Sequence, residues 1–510
     1  MTESMTAYDE VDYPGHPFVE THPDHLAVLG SLYGMTPVPL RSCRVLELGC
    51  GVGANLIPMA FDAPDSKFIG IDLSAESVRR GNASIAKMGL SNIELRAYNI
   101  MDVTPDFGTF DYIVAHGVYS WVPDFVRDKI LAIYRQNLSP QGIAFVSYNA
   151  YPGCFLRDIA RHIMRYHVRD ESDPRARVEQ SCALMQFLAE ASAQDSIYGV
   201  ELRDQFERVK NVTPHVLYHD DLSDVATPFF LYQVAEAGGK HGLQYLCDSA
   251  FSMAHLGRLT AKARERLAGI PETEAVTREQ YIDFVDGRTF RESLFCHAEV
   301  KLTRPIDPRR VMKLQLATSA AAGTDIDPAA PDVVTFKTEN GSTLSTDHRL
   351  SKAVIRVLGR CWPQSKSFPE AVSEALAELG AAGDKIKENI AEETDALAGL
   401  IFRAFAAGQF QLRFSPHSMT TALAERPISS GLARKQAESG LVVTNLLHRD
   451  VSMKDETVRQ FLMLVDGTRT VDQLVADLNA IFRRTGNPEV TEQGVLQNLG
   501  LLAKLGLLVA

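Results

Sequence analysis

Residues 45–55, VLELGCGVGAN, constrain this chain more than any other stretch. An apolar run carrying one carboxylate, Glu47, passes into a glycine turn that opens a helical pattern. Asp72 stands 23 residues after Gly49, at the end of a second apolar run, 67–72. Glycines there let a ligand approach the backbone closely, and an acid one strand further on takes ribose hydroxyls. The pattern predicts an open parallel sheet that holds an adenosine-containing molecule at its carboxyl edge.

The turn also fits G-x-G-x-x-A, a dinucleotide pattern, through Gly49, Gly51 and Ala54. Glu47 separates the two readings. A dinucleotide rests its pyrophosphate on the helix N-terminus, and a carboxylate two residues before the first glycine repels that charge. The same carboxylate suits a ligand with an amino group and a sulfonium but no phosphate. S-adenosylmethionine (AdoMet) is such a ligand and is the favoured reading, with NAD the alternative.

A chain of 510 residues exceeds one hydrophobic core, so two to four domains are expected. The net charge of −12 argues against broad nucleic-acid binding. The cysteines at 43, 50, 154, 182, 247, 296 and 361 form no C-x-x-C pair and read as reduced thiols of a cytoplasmic protein. No basic-then-apolar start suggests a secretion signal, and no apolar run reaches the ~20 residues that span a membrane.

Strand-like runs at 44–48, 67–72, 93–98, 110–116 and 142–149 alternate with helical patterns at 55–61, 74–88 and 124–137. Alternation of this kind means a doubly wound α/β sheet. Helical spacing at 157–169 and 174–193 predicts an insertion. A helix over 222–238 and strands at 241–248 and 294–302 would complete the sheet. Residues 318–332, rich in Ala, Gly, Asp and Pro, read as a linker or long loop, and a helix is expected over 384–407. A strand at 441–447 and helices at 455–465, 471–482 and 491–505 suggest a winged-helix-like unit, with Thr470 and Gln473 as a capping-box pair. The expected domains are a cofactor-binding core, 1–150; a helical insertion, 151–220; completion of the sheet, 221–303; a mixed middle domain, 304–430; and a winged-helix-like domain, 431–510.

Several motifs together carry a resemblance. They are Tyr8-Asp9-Glu10-Val11, Pro17-Phe18, Thr21-His22-Pro23-Asp24, residues 115–123 (AHGVYSWVP) and residues 148–153 (YNAYPG). Residues 218–222 (YHDDL), 228–230 (PFF) and 241–246 (HGLQYL) extend it. The set resembles a branch of class I AdoMet-dependent methyltransferases, including a so-called methyltransferase regulatory region. That branch contains bacterial protein-lysine methyltransferases of the rickettsial type that act on outer-membrane proteins. The resemblance implies a Rossmann-like methyltransferase domain and a cofactor pocket of Glu47, Gly49, Gly51, Asn55, Asp72, Leu73, Asn99 and Ile100, with Thr21 and His22 closing over it. Where such enzymes often carry Asp to meet the adenine amine, this chain has Asn99, whose carbonyl can still accept.

Methyl transfer is an in-line displacement that needs alignment and a deprotonated acceptor, not an enzyme nucleophile. Aromatic faces steer an ammonium by cation–π attraction. The loop after the fourth strand carries His116, Tyr119 and Trp121, and the loop after the fifth carries Tyr148, Asn149 and Tyr151. These six form the expected acceptor site, and each has a plain alternative as a packing residue. His215 and His219 have a metal-compatible spacing, but no further ligand stands nearby and no metal is expected. The last helix contains only Lys504 as a basic residue, too few for a DNA-recognition helix. The expected activity is methylation of lysine side chains in a protein substrate, with an outer-membrane or surface protein as the partner that the resemblance implies. The helical insertion is the expected homodimer surface. A small-molecule methyltransferase and a non-enzymatic AdoMet-binding regulator remain the alternatives.

Overall fold

The computed structural model describes residues 15–485 and 489–509, so the motif Tyr8–Val11 lies outside the described residues. Seven strands form one sheet: β1 (Arg44–Leu48), β2 (Lys67–Asp72), β3 (Ile93–Ala97), β4 (Phe110–Ala115), β5 (Leu138–Asn149), β6 (Leu243–Asp248) and β7 (Phe290–His297). Their order is β3-β2-β1-β4-β5-β7-β6. β1 to β5 pair in parallel, and β7 runs antiparallel to both β5 and β6. This is a doubly wound class I methyltransferase sheet.

Local chemistry explains the elements. β1 is buried along Val45–Leu48, as a central parallel strand covered on both faces must be. The helix after β2, Ala75–Met88, starts where Ser74 Oγ accepts from Ser77 N at 3.1 Å, and stops at Gly89, whose φ of 69° reverses the chain. One face of the sheet packs on helix α1 (Pro23–Leu32), α2 (Leu56–Asp62) and α3 (Ala75–Met88); the other packs on α4 (Asp124–Asn137) and α8 (Leu231–Lys240). The insertion comprises α5 (Cys154–His167), α6 (Pro174–Ala191) and α7 (Ile197–Asn211), with a small core around Met164, Met185 and Leu202. Buried Asp221 clamps it, accepting from Arg157 and Arg208 in two paired contacts of 2.9–3.2 Å.

Residues 304–430 carry two three-stranded sheets and the helices Arg349–Cys361, Phe368–Leu379 and Ile390–Ala406. Their apolar side chains share one continuous core with α1 and the adjacent face of the large sheet. The C-terminal unit has its own core, built on the hairpin Val442–Thr444/Asp450–Ser452 and the helices Gly431–Ala437, Glu456–Leu464, Val471–Thr485 and Glu492–Lys504. The Thr470–Gln473 capping box forms, with Thr470 N donating to Gln473 Oε1 at 2.9 Å. No helix among the described residues is long and apolar enough to cross a membrane.

Three expectations shift. The helix expected over 222–238 begins only at Leu231, because Pro228 interrupts it and Phe229 instead bridges to Ala150. The helix expected over 384–407 is two, Ala381–Lys387 and Ile390–Ala406. The strand expected at 294–302 is Phe290–His297. Its first half reads as polar, but Arg291 is buried in it, only 1% exposed, because acids from neighbouring elements neutralise it.

Candidate cofactor and acceptor site

The glycine turn sits at the carboxyl edge of β1. Gly49 has φ 76°, and a Cβ on it would lie 2.6 Å from Val118 Cγ2. Gly51 has φ 52° and nothing within 4 Å of where a Cβ would stand, so side-chain-free space lies over the loop. Asp72 Oδ2 accepts from Gly51 N at 2.8 Å and Oδ1 from Ser74 N at 2.9 Å, which fixes the carboxylate at the loop mouth. Leu73 is 62% exposed beside it, and Ile100 begins the short turn Ile100–Asp102. Asn99 Oδ1 accepts from Met101 N at 2.9 Å. The carbonyl expected to meet adenine is therefore already capping that turn.

Glu47 is buried, and its two oxygens differ. Oε1 accepts from Asn55 Nδ2 at 2.8 Å, whereas Oε2 is buried with no hydrogen-bond partner. Burial, reinforced by Asp72, pushes the carboxyl up to about 8. An orphaned carboxylate oxygen beside an open glycine cradle fits a ligand that brings its own ammonium.

The N-terminal arm closes on this loop through Asn55. Thr21 Oγ1 lies 3.0 Å from Asn55 Nδ2, and Phe18 N donates to Asn55 Oδ1 at 3.0 Å. His22 caps α1, its Nδ1 accepting from Asp24 N, and burial takes its pKa down to about 3. Its ring lies 5.0 Å from that of His448, in the C-terminal unit.

The six expected acceptor residues do not converge. His116, directly after β4, stacks on Phe18 with centroids 3.8 Å apart and lies 6.2 Å from Phe290. Burial takes its pKa down to about 4, so the ring is neutral. Asn149, at the end of β5, is on the same edge, and its backbone N donates to Ser120 Oγ at 2.9 Å. Tyr119 and Tyr148 face the opposite core, against Phe229 at 5.4 and 6.4 Å, and the Tyr148 hydroxyl pairs with Ser293 Oγ at 2.9 Å. Both are packing residues in this conformation: Tyr148 because successive side chains of a strand take opposite faces, and Tyr119 because the short turn Tyr119–Trp121 packs it into the same core. Tyr151 turns outward, donates to Asp158 at 3.0 Å and stacks on Phe155 at 3.9 Å. Trp121 is half-buried at the end of the turn Tyr119–Trp121. His219 is buried where Asp221 binds its arginines, and no group of three metal-ligating side chains occurs among the described residues.

Residues not singled out complete the edge. Glu292 follows Phe290 by two on β7 and so shares its face, opposite Ser147, whose Oγ accepts from Gly117 N at 2.8 Å. Ser249 joins Glu292 to the arm: its N donates to Glu292 O at 2.7 Å and its Oγ to Glu20 O at 2.6 Å. Only Phe18 had a sequence signal, as part of the Pro17-Phe18 motif.

Comparison with known proteins decides the family. A methyltransferase domain profile matches residues 40–209, a predicted methyltransferase regulatory domain profile 213–297, and a profile described as PKMT, C-terminal winged helix domain, 425–495. An uncharacterised protein of Rickettsia prowazekii is 32% identical over 455 residues, covering 88% of this chain and 81% of that relative. The chain belongs to the class I methyltransferases of the rickettsial PKMT type. The structure of PKMT2 from Rickettsia typhi in complex with AdoHcy is 27% identical, with a TM-score of 0.85, over 98% of this chain and 100% of that one. A second uncharacterised Rickettsia prowazekii protein is 35% identical over 241 residues, 47% of this chain and 96% of its own length. AdoHcy, held in that Rickettsia typhi structure, is AdoMet less its methyl group. AdoMet is the cofactor of the class I methyltransferase domain matched here, and the cradle, the orphaned Glu47 oxygen and the Asp72 carboxylate fit it.

Proposed function

We propose that this methyltransferase acts on lysine side chains of a protein substrate. One observation carries the reading: the rim beside the cofactor loop is aromatic and acidic, with Phe18, His116 and Phe290 together and Glu20 and Glu292 next to them. AdoMet, when bound, supplies a methyl group on a cationic sulfur. Glu47 takes its amino group, Asp72 its ribose, and Leu73 and Ile100 flank the adenine. The aromatic faces steer an incoming ammonium without fixing one geometry. Burial, with Glu20 beside it, pushes the Glu292 carboxyl up to about 8, so its carboxylate form, which grows as the pH approaches 8, is a base strong enough to take the proton the amine must lose. Neutral His116 adds no repelling charge.

Names agree with this reading: the PKMT relatives suggest protein-lysine methylation. A cavity of about 290 Å³ also lies where the arm, the middle domain and the C-terminal unit meet, lined by His25, Phe410 and Arg413 among others. It supports a cleft for a polypeptide such as an outer-membrane or surface protein. Pairing of two copies through the insertion is supported by its exposed apolar side chains, among them Ile197 at 91% and Phe187 at 61%. Sedimentation at micromolar concentration checks this pairing, and a strict monomer sinks it.

The activity is tested with tritiated AdoMet and a lysate split into protein and small-molecule fractions, with mass spectrometry of labelled bands. Label on lysines is expected; label confined to small molecules overturns the reading. Phe18→Ala is expected to lower kcat/KM for the protein acceptor about tenfold, the size of one desolvated cation–π contact, with AdoHcy affinity nearly unchanged.

A further inference from the structure

His448 is the one non-glycine residue with a left-handed backbone among the described residues, at φ 57°. It sits at the tip of the hairpin Val442–Thr444/Asp450–Ser452. Asn445 holds the tip: its Oδ1 accepts from Leu447 N at 3.0 Å and Arg449 N at 2.9 Å, and its Nδ2 donates to Leu505 O at 2.8 Å. Such a conformation persists only where the surroundings over-determine it, and it clusters at ligand clamps.

The tip delivers the imidazole to the cofactor loop. His448 Nε2 lies 2.9 Å from Asn55 Oδ1, across 393 residues of sequence. The direction of this bond follows from the network. Asn55 Nδ2 donates to Glu47 Oε1, so the atom facing His448 is the amide oxygen, and the imidazole must donate from Nε2–H. Burial keeps the ring neutral by holding its pKa well below the usual value. Once Glu47 is ionised, a flipped amide would set its carbonyl against the carboxylate, and in either state it would set its NH₂ against the donors Phe18 N and His448 Nε2. Two donors from distant parts of the chain therefore lock the orientation that serves Glu47. The docking is supported elsewhere: Lys435 Nζ donates to Met88 O at 2.8 Å, and Lys87 pairs with Glu438 at 3.0 Å.

We propose that His448, supplied by the C-terminal domain, is a positioning residue of the cofactor site: it locks the Asn55 amide, which aims the second oxygen of Glu47 at the amino group of AdoMet. Cofactor affinity then depends on how the C-terminal domain is seated. The inference rests on the reading of Glu47 as the ligand of that amino group.

The test is calorimetric titration of the full chain with AdoHcy. His448→Gln and His448→Met have similar length and the same backbone restriction, and only the glutamine carboxamide can donate an N–H. His448→Met is expected to weaken AdoHcy about tenfold, and His448→Gln to stay within about threefold of wild type. Equal affinities for the two variants overturn the proposal. His448→Gly, which suits the left-handed backbone, decides if neither folds: wild-type affinity in that variant overturns it equally. Glu47→Gln separates the two readings, because wild-type AdoHcy affinity there removes the Glu47 assignment whatever His448 does.

Discussion

Glu47→Gln is expected to weaken AdoMet binding about a hundredfold while leaving the fold at least as stable at pH 8. The side chain keeps its shape and can keep one bond to Asn55. It loses the charge that an incoming ammonium requires, and a charge-assisted bond contributes up to about 3 kcal/mol. Stability moves the other way. Burial raises the folded carboxyl from 4.5 to about 8, so between those values the folded state holds a proton the unfolded state has lost. Stability therefore falls as pH rises through that window, and the amide removes this slope. The same shift makes wild-type binding proton-linked, because the ammonium recruits the carboxylate form. AdoMet affinity should rise about tenfold from pH 6 to pH 7, with a proton released on binding. Titration in two buffers of different ionisation enthalpy reads that proton directly. Wild-type affinity in the Gln variant at pH 7.5 would falsify the assignment.

Arg291→Leu should cost about 3–5 kcal/mol, a large share of the roughly 5–15 kcal/mol that holds a typical protein folded. Arg291 donates to both Asp283 oxygens at 2.7 and 2.9 Å, and to Asp248, Glu279 and the Tyr245 hydroxyl at 3.1 Å. It ties the helix Ala275–Asp286 to β6 and β7. Leucine fills part of the space and leaves these carboxylates facing one another. Arg288 still donates to both oxygens of Asp248, so the loss falls mainly on Asp283 and Glu279. Burial already raises Asp283 to about 6 with Arg291 in place. Without it the carboxyl rises further, so the variant can shed charge in mild acid. Its deficit against wild type should shrink between pH 8 and pH 5. Thermal unfolding at both values checks this, and an equal deficit at the two would refute the account.

The glycine cradle and the acids at its mouth were legible because their requirements are local. A turn that approaches a ligand needs Gly49 and Gly51 whatever surrounds it, and the acids at Glu47 and Asp72 stand at strand ends that apolar runs announce. The placement of the expected acceptor aromatics was not. Tyr119 and Tyr148 have the right residue type, but strand alternation turns Tyr148 into the core beneath the sheet, and the short turn Tyr119–Trp121 packs Tyr119 beside it. Glu292 gave no sign, since a polar start to β7 reads as loop until Arg291 finds its three acids. His448 lies in a hairpin that carries no motif and reaches the site only through domain docking.

The sequence by itself determined the α/β class, the parallel core of the sheet, the helical insertion, the winged-helix-like end and AdoMet as cofactor. Periodicity, caps and glycine turns act over a few residues, and their energetics survive without knowledge of the rest of the chain. Tertiary structure alone decided which aromatics line the rim, which acids share a buried arginine, and that a histidine 393 positions from Asn55 bonds to it. Those outcomes depend on burial and on partners distant in sequence, and a side chain's charge state and exposure are set by what packs against it.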